Sequence, residues 1–82
     1  MIEQKIFLKT LDDVKTFVSI AANKPYDIEL LSGKYIVNAK SVMGVLSLDL
    51  TFPLTMVANT ETDISILQEV EEYSNNALAM TK

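Results

Sequence analysis

Along its whole length this chain switches between an apolar period of two residues and one of about 3.6, and that alternation limits the folds open to it more than any other feature. Ile2 to Lys9 has the pattern of a strand, with Ile6 and Leu8 on one face and Phe7 on the other. Thr10 stands as a helix N-cap with Asp13 three residues on, and Asp12 and Asp13 suit the positive end of a helix dipole. Val14, Phe17, Val18 and Ala21 then recur as a single apolar stripe, until Asn23-Lys24-Pro25 ends the helix. Tyr26 to Leu30 alternates again, Ser32-Gly33-Lys34 makes a turn, and Tyr35 to Ala39 returns as the second strand of a hairpin. Ser41 opens a short helix that runs to about Leu46. Phe52 to Asn59 is a fourth strand, with Leu54, Met56 and Ala58 on one face and Pro53 near its start, where a missing N–H matters least. Thr60 is read as the cap of a last helix whose buried stripe is Ile66, Val70, Tyr73 and Ala77, widened by Leu67 and Leu78.

The order strand, helix, strand, strand, helix, strand, helix predicts an α+β domain. It is an open-faced sandwich, with one four-stranded, mostly antiparallel sheet and three helices on one face (βαββαβα). Ferredoxin-like folds share part of this order. With no linker or repeat, residues 1–82 read as a single domain. Hydrophobic residues make up 49% of the chain, enough for a core, although a thin one at this size.

Composition closes off most chemistry. The chain has no histidine, cysteine or tryptophan, and every positive charge is a lysine. There is no glycine-rich phosphate loop, no metal-ligand cluster and no nucleophile–base pair, so the expectation is a protein without cofactor, metal or enzymatic activity. The net charge of −4 and the scattering of the lysines argue against nucleic acid and against a membrane surface. Apolar runs are too short to span a bilayer, and Met1-Ile2-Glu3-Gln4-Lys5 lacks the basic and apolar regions of a signal peptide, so a soluble cytoplasmic location is expected.

One stretch carries a resemblance. Gly33-Lys34 followed by Val37-Asn38-Ala39-Lys40-Ser41-Val42-Met43-Gly44-Val45-Leu46-Ser47-Leu48 resembles the hairpin turn and "KSIMGVMSL" segment of HPr, the phosphocarrier of the bacterial sugar phosphotransferase system. The element order agrees over nearly the whole chain. The resemblance implies an HPr-like fold, and a regulatory role for the serine matching Ser41, which an ATP-dependent kinase phosphorylates in HPr proteins of low-GC Gram-positive bacteria. It also implies that Met43 and Leu46 present apolar surface to partners. The carrier site has not been kept. HPr has "G-[IL]-H-A-R-P-A" where this chain reads Lys9-Thr10-Leu11-Asp12-Asp13-Val14, so the histidine, the arginine and the proline are all missing. Without an imidazole or a guanidinium clamp, phosphohistidine carriage is closed to it. Catabolite repression HPr, a relative that also lacks the histidine and keeps the serine, works in regulation only.

The expected function is therefore a non-catalytic regulatory or protein-interaction module related to the phosphotransferase system. Ser41 is its candidate phosphorylation site, and Lys40, Met43, Leu46 and Ser47 are its candidate partner-binding residues. The partner would be a protein such as an HPr-type kinase, a phosphotransferase-system component or a catabolite-control regulator. The chain itself would be a monomer or a strand-exchanged dimer. Two alternatives stand beside this: a phosphocarrier that uses a non-histidine residue, with Asp12 and Asp13 in the histidine's place, and a diverged HPr-fold domain with an unrelated binding role. Each residue also has an ordinary structural use. Ser41 is a good N-cap, Asp12 and Asp13 complement a dipole, and Glu69, Glu71 and Glu72 suit a solvated helix face.

Overall fold

Strands β1 (Ile2–Ile6), β2 (Ile28–Ser32), β3 (Tyr35–Asn38) and β4 (Leu54–Ala58) form one sheet in the computed structural model, which describes residues 1–80. The strand order is β1-β4-β2-β3 and each pairing is antiparallel. Helices α1 (Leu11–Ala22), α2 (Val42–Leu46), α3 (Ser65–Glu69) and α4 (Glu71–Met80) complete the described residues. Register explains why one face is buried. In β4, Leu54, Met56 and Ala58 stand opposite Ile6, Gln4 and Ile2 of β1, while Met56 and Ala58 also face Leu30 and Ile28 of β2. Residues directly opposite in an antiparallel pair share a face, so these rows form the floor of the core. Alternate rows, Glu3–Val57–Glu29 and Lys5–Thr55–Leu31, form the other, open face.

The predicted stripes supply the cover. Val14, Phe17, Val18 and Ala21 of α1, Val45 of α2, Ile66 of α3 and Tyr73 and Ala77 of α4 are all buried, with Val70 buried between the last two helices. Phe17 and Tyr73 meet edge to face, with centroids 6.4 Å apart and rings at 80°, a contact that adds about 0.5–1.5 kcal/mol beyond the area it buries. The β2–β3 hairpin closes on Gly33, whose φ of 59° lies in the left-handed region that favours glycine. Among the described residues, no helix is long and apolar enough to cross a membrane.

Three expectations need correction at the C-terminal end. The last helix is two pieces, broken at Val70 (φ −103°, ψ 13°), where both the N–H and the hydroxyl of Ser74 return to the Val70 carbonyl. The apolar spacing through Ile66, Val70, Tyr73 and Ala77 is the same for a straight and a broken helix, so periodicity did not reveal the break. Thr60 caps no helix. Its hydroxyl accepts from the N–H groups of Thr62 and Asp63 in a turn, and α3 starts later, at Ser65, with no side-chain cap. Leu78 points outward, 66% exposed, since it follows buried Ala77 by one residue and so lies about 100° round the helix from the buried stripe. Strand ends also differ slightly: β1 stops at Ile6, β2 starts at Ile28 and β4 starts at Leu54.

Candidate partner surface around Ser41

The segment that carries Ser41 is fixed from the hairpin outward. The Ala39 N–H extends the β2–β3 pairing by donating to the Ile28 carbonyl at 2.9 Å, and the Ala39 side chain is wholly buried. The Asn38 side chain then accepts from the Lys40 N–H at 2.9 Å while its carbonyl accepts from the Ser41 N–H, which turns the chain into α2. Ser41 is the N-cap: its hydroxyl accepts from the Gly44 N–H at 3.1 Å. At the far end the Ser47 hydroxyl donates to the Gly44 carbonyl at 2.6 Å, so Ser47 closes the helix while remaining exposed.

A helix this short has one inward face, and Val45 and Leu48 fill it, with Val42 partly buried beside them. Met43 and Leu46, three apart, are left outside at 78% and 42% exposure. Lys40 is placed differently from the residues it was grouped with. Its ammonium is partly buried and donates to the Lys24 carbonyl at 2.8 Å, just beyond the C-terminal end of α1. It ties two segments of the fold together before it serves any partner.

The structure adds residues that the sequence reading did not assign to this surface. Leu46 and Leu11 flank a shallow groove of about 280 Å³, with Leu8, Val14 and Leu50 also lining it. Leu11 is 54% exposed at the start of α1. No spacing rule joins Leu11 to Leu46. Their proximity comes from α1 packing beside α2.

The start of α1 is a closed structure. The Asp13 N–H donates to the Thr10 hydroxyl at 3.1 Å, and the Asp13 carboxylate accepts at 2.9 Å from the N–H of Lys9, the residue before the cap, a variant of the capping box. The Asp13 carboxylate is thus already used in holding the helix end.

No protein-family model matches the sequence, and no curated protein matches it. Solved structures do. One similar chain is HPr-C-His from Thermoanaerobacter tengcongensis, at TM-score 0.77 and 21% identity, covering 96% of this chain and 97% of that one. Another is Crh, the Bacillus subtilis catabolite repression protein, described as a swapped, intertwined dimer, at TM-score 0.65 and 26% identity over 87% of this chain and 84% of that one. The fold is thus the α+β open-faced sandwich of the HPr-C-His and Crh structures. Within that fold, the chain is similar to both HPr-C-His and Crh.

Proposed function

We propose that this protein is a non-enzymatic, cytoplasmic interaction module of the phosphotransferase-related kind, which meets a protein partner through Met43, Leu46 and the adjoining Leu11. The observation that carries this reading is the outward placement of two large apolar side chains on a helix whose inward face is already filled. Exposed apolar residues beside the polar Ser47 and Thr10 have the anatomy of a modest contact site. Methionine suits such a surface because its unbranched, polarisable side chain adapts to different partners. The missing histidine favours regulation over carriage, and Ser41 is the residue through which a kinase would act. An HPr-type kinase or a catabolite-control regulator is the partner class that the family likeness supports. The Crh description supports testing for a strand-exchanged dimer in solution.

The test compares stability with binding. Met43→Ala and Leu46→Ala should each change thermal stability by less than about 0.5 kcal/mol. Each should weaken a partner captured with the wild-type chain by about 1 kcal/mol or more, roughly fivefold. A stability loss of about 2–5 kcal/mol for both would place them in the core and end this reading. Carriage by an aspartate is the competing chemistry. Stoichiometric, hydroxylamine-sensitive label from phosphoenolpyruvate and the general phosphotransferase enzyme, lost in Asp12→Asn or Asp13→Asn, would establish it.

A further inference from the structure

Away from the Met43–Leu46 surface, one polar cluster joins three segments that are distant in sequence. Lys24 follows α1, its side chain only 13% exposed, and its ammonium is held by Glu69 of α3 and by Asp63 at 3.5 Å. The Tyr26 hydroxyl donates to Asp63 Oδ2 at 2.8 Å, and the Ser65 hydroxyl donates to Asp63 Oδ1. The Lys24 backbone carbonyl accepts the ammonium of Lys40, the residue before Ser41. α1 has no basic residue in its last turn, so Lys24 and Lys40 supply the positive charge that the negative end of its dipole favours. α3 spans five residues and has no side-chain N-cap, and so short a helix does not stand on propensity alone. What holds it is the burial of Ile66 and this clasp.

We propose that the clasp is a conformational linkage in which Lys40 couples the Ser41 surface to α3, so that drawing the Lys40 ammonium away from the Lys24 carbonyl loosens α3. The lysine side chain fits this role because it is a point charge on a flexible stem with three donors, free to be shared or recruited by a new anion on the α2 side. α3 would be the element of low local stability that responds. The proposal rests on the reading of the Ser41 surface as a contact or modification site only for its trigger; the linkage stands on the fold itself.

Amide hydrogen exchange on the full chain tests it. Lys40→Met should raise exchange at residues 65–69 by about two- to fivefold, the range of a partly exposed charged interaction, with β4 amides unchanged. Lys40→Arg and the surface control Lys34→Met should leave α3 as in wild type. Coupling is reciprocal, so Glu69→Gln should raise exchange at the Gly44 and Val45 amides, and this second variant decides the matter if Lys40→Met fails to fold. An α3 indifferent to Lys40→Met, or an α2 indifferent to Glu69→Gln where the first variant does not fold, overturns the linkage. Phosphorylating Ser41 with a host kinase adds a separate arm. Phosphate with no change at 65–69 breaks the linkage, whereas no phosphate at Ser41 with an active kinase counts against the regulatory reading and leaves the two variants to decide the linkage.

Discussion

Two helix starts in this fold are built in opposite ways. The start of α1 is closed on itself by the bonds of Thr10, Asp13 and Lys9. The start of α2 is held by a single side-chain bond from Ser41, and beyond it two apolar side chains face outward. The first commits its polar groups to its own helix end, and the second leaves apolar surface exposed. The difference teaches that two capped helix starts can use their neighbourhoods differently. At α1 the polar groups bond one another, while at α2 the residues after the cap point away from the core.

The largest effect that would sharpen this contrast lies inside α2. Val45→Ala should cost about 2 kcal/mol in a chemical melt, through lost burial and a cavity, whereas its outward neighbour Met43→Ala should cost almost nothing. Equal losses for the two would erase the division between an inner and an outer face. Next come the caps. Thr10→Ala and Ser41→Ala should each cost about 1 kcal/mol, read as a shift in the denaturation midpoint. Only Ser41→Ala should also abolish kinase-dependent phosphorylation, and a Ser47 phosphosite would break the assignment.

The smallest effect is a pH dependence. Burial, with the Asp63 hydrogen bond adding, pushes the Tyr26 hydroxyl from its ordinary 10.0 up to about 12. The hydrogen bond to Glu69 raises Lys24 above its ordinary 10.5 against the opposing cost of burial. Both folded-state values are raised, so this stabilisation is complete below about pH 10 and is lost as pH rises from there through about 12. Asp63 is shifted down, first by the Ser65 hydroxyl and then by Tyr26, so its contribution is present above its ordinary 3.8 and is lost as pH falls below that value. Thermal melts across the alkaline range should show Tyr26→Phe flattening the loss above pH 10. An unchanged alkaline slope would remove Tyr26 from the clasp.

Much of the fold was legible because the apolar periods are clean. Leu54, Met56 and Ala58 alternate, Val14, Phe17, Val18 and Ala21 form one stripe, and all seven are buried. The Ser41 cap and the outward Met43 and Leu46 followed from a two-turn helix having only one inward face. The break at Val70 was hidden because a kink that preserves the stripe leaves no trace in the pattern. Leu11 beside Leu46 and the joining of Lys24, Lys40 and Asp63 were hidden for another reason: they depend on how helices and loops dock, which no local spacing encodes.

The place of β4 in the sheet has a kinetic consequence. β1 is made first, yet β4 is its one neighbour in the sheet and comes after β2, β3 and α2. The Phe7 N–H just beyond β1 bonds still later sequence, the Tyr73 carbonyl at 2.9 Å. A nascent chain emerging from the ribosome can zip the β2–β3 hairpin at once, but its first strand waits unpaired until β4 arrives and slots between the two. Closure of such long loops governs folding speed, so this domain should assemble late in its own synthesis and in one concerted step.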